Sequence, residues 1–127
     1  MTSKENSLNW FEIPVKDLTR AKRFYEAIFG IKMQEMEMMG MKMAFFPAEP
    51  TSGKVNGGLA KSKMHRPSKA GVVIYLNANP DLKTALSKVE KAGGKVTMPK
   101  TKISKDIGSM AFFVDTEGNT IGLHSSK

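Results

Sequence analysis

Two histidines, twelve Asp and Glu residues and ten methionines are the side chains from which this 127-residue chain could build chemistry; it has no cysteine. That excludes disulfides, a zinc–thiolate site and a thiol nucleophile. The densest constellation is Met33, Met36, Met38, Met39, Met41 and Met43. Six thioethers within eleven positions could serve a soft ion such as Cu(I). Their spacing points elsewhere, because Met36, Met38, Met41 and Met43 alternate with Glu35, Glu37 and Lys42, as one face of a half-buried hairpin does. Methionine packs adaptably around gaps and irregular ligands. With Trp10 and Phe45 or Phe46, this hairpin is expected to form a soft apolar cavity wall. Other chemistries lack their signatures. Gly57-Gly58 belongs to neither a phosphate loop nor a dinucleotide fingerprint, and no Ser or Thr has a nucleophile context. Asp115–Asn119 lacks the spaced carboxylates of a calcium loop. His65, beside Arg66, falls in a linker and is expected to be exposed.

Two halves of the chain repeat the order strand, helix, glycine, strands. Leu8 to Val15 alternates, placing Asn9, Phe11, Ile13 and Val15 on one face and Trp10, Glu12 and Pro14 on the other. Asp17 or Thr19 can cap the following helix. Leu18, Ala21, Phe24, Tyr25 and Ile28 form its apolar stripe, and Gly30 suits a left-handed ending. The second half opens with an apolar strand, Gly71 to Leu76. Asn79-Pro80 then reads as an N-cap and first helical position, ahead of a stripe of Leu82, Ala85, Leu86 and Val89 that Gly93-Gly94 stops. Strands are expected at 31–38, 41–46, 55–60, 95–98, 107–115 and 120–125, with a hairpin turn over residues 116–119. The spans Val15–Gly30 and Leu76–Gly93 are nearly equal in length, as an internal duplication predicts. The chain is thus one α+β domain over residues 1–127: two βαβββ modules, about 8–60 and 71–125, joined by a linker at 61–70.

The segments NWFEIPVKDLTRAKRFYEAIFG and MAFFVDTEGNTIGLHSS resemble the vicinal-oxygen-chelate superfamily, which contains glyoxalase I, extradiol dioxygenases and bleomycin- and fosfomycin-resistance proteins. The resemblance implies cupped mixed sheets, helices on the convex side and a cavity on the concave one. Metal-binding members carry a ligand His seven residues before the Asp of the V-x-D turn and a ligand Glu three residues after the Asn of D-x-x-G-N. Here those positions hold Trp10 and Gly122, and a third, opening the strand after the linker, falls on or beside Gly71. None of the three is a metal donor. The fourth position lies near Asn56. The resemblance therefore implies no conventional metal and no cofactor, as in a branch that reads F-E-I-P on its first strand and G-L after D-x-x-G-N. It also implies a homodimer.

If the ligand positions face the cavity, strand period brings Glu12, His124 and Tyr75 to the same faces as Trp10, Gly122 and Gly71. Those three could act as general base, acid and oxyanion donor, or hold a divalent ion at a displaced site, as a lyase or isomerase of the glyoxalase type would need. The alternative for Glu12 is a structural pairing with a Lys or the His, and for His124 a solvated position near the chain end.

The formal charge of +8 comes from seventeen lysines and only three arginines. Nucleic-acid readers use arginine forks with interleaved aromatics, so no nucleic-acid partner is expected. The field favours a small anion and opposes a cationic drug. No apolar run approaches a membrane span, and the polar start MTSKENS lacks a secretory signal, so a cytoplasmic location is expected. The expected function is binding of a small organic ligand, with the charge favouring an anion, in an apolar cavity lined by Trp10, Met36, Met38, Met43 and Phe45. A non-catalytic subunit with a filled cavity is the remaining alternative.

Overall fold

A computed structural model describes residues 1–127. The elements run β1 (Trp10–Pro14), α1 (Leu18–Phe29), β2 (Gln34–Met38), β3 (Met41–Phe45), β4 (Asn56–Lys61), β5 (Tyr75–Asn77), α2 (Lys83–Leu86), β6 (Lys95–Ser104), β7 (Gly108–Val114) and β8 (Thr120–Ser125). They form two four-stranded mixed sheets, β1-β4-β3-β2 and β5-β8-β7-β6. In each, the module's first strand lies parallel to its last, and the remaining pairs are antiparallel. This is the βαβββ–βαβββ architecture that periodicity predicts.

Helix α1 forms for the reasons legible in its sequence. The Asp17 carboxylate accepts the Arg20 N–H as N-cap, and Gly30 ends the helix at φ 64°. Its stripe of Leu18, Ala21, Phe24, Tyr25 and Ile28 is buried against Ile13, Val15, Ala44 and Leu59 from the first sheet and Phe113 from the second. One core therefore serves both modules.

The second helix departs from expectation. Asn79 does not cap it: its Oδ1 accepts the Ser126 N–H at 2.7 Å, and the Asn79–Pro80 peptide is cis. Regular α-helix is confined to Lys83–Leu86, after Asp81 accepts the Lys83 N–H. The stripe still works, since Leu82, Ala85 and Val89 are buried. Strand β5 is also shorter than expected. It begins at Tyr75, and Gly71 lies in the preceding loop at φ 104°.

Candidate functional site

Strand register places Trp10 and Glu12 on the face of the first sheet turned away from α1. Across β4 they meet Asn56 and Gly58, and Gly58 meets Phe45 on β3. The Trp10 and Phe45 rings pack edge to face at 5.4 Å, yet Trp10 remains 40 % exposed. Met43, opposite Ala60 on this face, is fully buried. Met36 and Met38 are exposed, so the hairpin is half-buried only along β3. The physical reason is position: β2 is the outermost strand, with no neighbour on its far side.

Glu12 finds a histidine, but it is the linker's. Its Oε1 accepts from His65 Nε2 at 2.7 Å, and its Oε2 accepts the Trp10 indole N–H at 3.2 Å. His65 Nδ1 in turn meets Ser62 Oγ at 2.6 Å. The side chain of His65 is only 9 % exposed, so the exposed linker histidine expected from sequence is corrected. Fifty-three positions separate Glu12 from His65, and the linker has no periodicity that would place it back over β1.

In the second sheet Gly122 stands opposite Tyr75 on β5 and Phe112 on β7. Gly71 lies outside the strand, so it shares no strand face with Tyr75. The Tyr75 ring lies over Gly122 and packs on Phe112 at 5.5 Å. A Cβ at residue 122 would sit 2.5 Å from that ring. His124 is half-buried, and its Nε2–H donates to the Ile107 carbonyl at 2.7 Å. Glu12 and His124 thus lie in different sheets, each committed to another partner.

The residues do not fit the ion that the fold's metal-binding members hold. Nowhere do three His, Cys, Asp or Glu side chains converge to hold a metal. The place from which a carboxylate at residue 122 would project is filled by the Tyr75 ring.

The turn Asp115–Asn119, read from sequence as a simple hairpin connection, carries the densest polar network. Asp115 accepts the Tyr25 hydroxyl at 2.7 Å, the backbone N–H groups of Glu117 and Asn119, and the Asn119 amide. Asn119 also donates to the Pro14 carbonyl and accepts the Ser68 N–H. Glu117 accepts the Lys16 and Asp17 N–H groups, each at 2.8 Å, and the Arg20 guanidinium at 2.7 and 3.0 Å. Burial alone would raise the Glu117 pKa; Arg20 and the N–H donors outweigh it and hold the carboxyl at about 2. Burial and the neighbouring Asp115 push the Tyr25 phenol well above its ordinary value. These groups fasten the last hairpin of module two to β1, α1 and the linker. They are structural polar residues, not a reaction centre.

Two of the depressions adjoin Trp10 and the seam between the modules. One, of about 590 Å³, opens beside Trp10 and Phe45 and is flanked by Lys32, Lys54, Glu49 and Asn56. The other, of about 950 Å³, follows the seam between the modules and is lined mainly by apolar residues, including Phe11, Phe29, Phe46, Val72 and Ile74. Neither is lined by Met36, Met38, Met43, Glu12 or His124; Glu12 instead borders a smaller hollow of about 250 Å³ with Arg66 and Asn119. No helix is long and apolar enough to cross a membrane.

Against known proteins, the sequence model of the Glyoxalase/Bleomycin resistance protein/Dioxygenase superfamily matches residues 7–123. A glyoxylase-like domain-containing protein of Didymella fabae is 34 % identical over 120 residues, covering 89 % of this chain and 88 % of its own. Among solved structures, a glyoxalase I point mutant from Zea mays superposes with a TM-score of 0.66 at 18 % identity. That match covers 93 % of this chain and 45 % of the maize chain. TnmS3, an antibiotic-binding protein from Streptomyces sp. CB03234, superposes with a TM-score of 0.64 at 19 % identity, covering 99 % of this chain and 100 % of its own.

Proposed function

The chain belongs to the Glyoxalase/Bleomycin resistance protein/Dioxygenase superfamily, and on that premise we propose that it binds a small organic anion without the customary metal ion. The observation that carries this reading is the depression beside Trp10. It offers an exposed indole braced by Phe45, with Lys32 and Lys54 outnumbering the one carboxylate, Glu49. An indole edge and two ammonium groups suit a planar carboxylate: the ring supplies apolar contact and the lysines supply charge. Trp10 is the only tryptophan in the chain, so its fluorescence reports on this site alone. Titration with a panel of aromatic carboxylates, in the presence of EDTA, is expected to give saturable quenching that weakens with salt. Lys32→Ala and Lys54→Ala should each weaken binding by about two- to fivefold, the upper part of the range for exposed ion pairs. Absence of saturable quenching, or a divalent ion at one per chain in fresh protein whose removal abolishes binding, would overturn the reading.

We further infer a homodimer. Val72, 94 % exposed, with Val73 and Tyr75 forms an apolar row along the seam, beside sheet edges at β1 and β5 that pair with nothing in the chain. Such edges and rows are normally covered. The maize glyoxalase I chain is about twice as long as the region matched, leaving room for a second unit of this size. Sedimentation velocity should give a dimer, and Val72→Lys should shift it toward monomer. A wild-type monomer at all concentrations would sink the inference.

A further inference from the structure

The contacts Glu12–His65–Ser62 have the connectivity of an acid, a base and a nucleophile. Glu12, when ionised, can only accept, so its 2.7 Å contact requires the proton on His65 Nε2. In neutral His65, Nδ1 then carries the free lone pair, and the 2.6 Å contact makes Ser62 Oγ–H the donor. The backbone N–H of Met64 donates to the same Oγ at 3.2 Å. Ser62 is a half-buried residue at the molecular surface. The Trp10 N–H holds the second oxygen of Glu12 and limits its rotation. Each member thus fixes the tautomer or orientation of the next, which is the logic of a nucleophilic triad. Here the two ring nitrogens exchange roles: Nδ1 faces the hydroxyl and Nε2 the carboxylate.

We propose that Ser62, His65 and Glu12 form a nucleophilic relay that takes the acyl group of small activated esters. Ser62 Oγ bonds to the carbonyl carbon while its proton passes to His65 Nδ1. The carbon–oxygen bond to the leaving group then breaks, and His65 returns the proton to the departing alkoxide. Water repeats the sequence on the acyl-serine, so ester and water become acid and alcohol with Ser62 restored. Glu12 is a positioning residue that sets the histidine tautomer and stabilises the imidazolium. The relay goes beyond the anion-binding reading and does not depend on it: it is tested by covalent labelling, whereas binding is tested by Trp10 quenching.

A fluorophosphonate carries its own activated phosphorus and leaving fluoride, so its rate of attachment measures the relay directly. Purified protein is treated with this probe and the adduct is located by peptide mass spectrometry. The expected result is one adduct per chain, on Ser62, and none in Ser62→Ala. His65→Ala should slow labelling by about 10²–10⁴-fold, the range for a positioned general base, with recovery on addition of free imidazole. Glu12→Gln should slow it by about tenfold or more, and Glu12→Asp should restore part of the rate. Absence of an adduct, an adduct elsewhere, or unchanged labelling of His65→Ala overturns the relay. A loss in His65→Ala that imidazole fails to restore overturns the role of His65 as base.

Discussion

Among the carboxylates, Glu117 is displaced furthest from its ordinary value. Its carboxyl falls from an ordinary value of 4.5 to about 2 in the folded chain. A depressed carboxylate contributes stability that is complete above its unfolded pKa and is lost as pH falls through the folded one. Acid unfolding should therefore steepen between about pH 4.5 and 2. Glu117→Gln should flatten that window and cost about 2 kcal/mol at neutral pH, measured by denaturant titration. Tyr25→Phe removes one donor to Asp115, with an expected cost of about 1–3 kcal/mol by denaturant titration. At this scale the sequence was legible where a pattern has fixed spacing. Counting from Asp17 and Asn119 finds Trp10 and Gly122, two side chains that are not metal donors. Counting could not find His65 or Ser62, because their meeting with Glu12 depends on how an aperiodic linker folds back.

Elements were legible to the extent that their periodicity is local. The α1 stripe, its Asp17 cap and its Gly30 end all follow from short-range pattern. The start of α2 did not, because Asn79 is claimed by Ser126, forty-seven positions away. Close approach of neighbouring strands also sets what their glycines tolerate. At Gly57 an added Cβ would lie 2.3 Å from the Phe11 carbonyl oxygen, a backbone atom with little freedom. At Gly122 the nearest atoms belong to the ring of Tyr75, a half-exposed side chain rather than backbone. Gly57→Ala is accordingly expected to cost about 3 kcal/mol or more, and Gly122→Ala about 1 kcal/mol. A double-mutant cycle should show coupling between Gly122→Ala and Tyr75→Ala and none between Gly57→Ala and Tyr75→Ala. Equal costs at both glycines would contradict the assignment of the two contacts.

For the molecule as a whole, the two sheets pair no strands with each other and are joined by a shared core and by the hairpin of Asp115 to Asn119. That joint was not legible in composition, since the turn residues looked ordinary until α1 and the linker were folded onto them. It predicts that loss of the Glu117 contacts loosens the modules together: Glu117→Gln should speed amide exchange in α1 and in the β7–β8 hairpin alike. Exchange confined to the hairpin would contradict a joint of this kind. The ring of Tyr75 over Gly122 also bears on what substitution could make of this face. A glutamate at residue 122 alone would first have to displace the Tyr75 ring, and Trp10 would still offer no donor. Neither change is useful without the other, so a chain with this pair of residues could build the conventional ion site only through several coordinated substitutions.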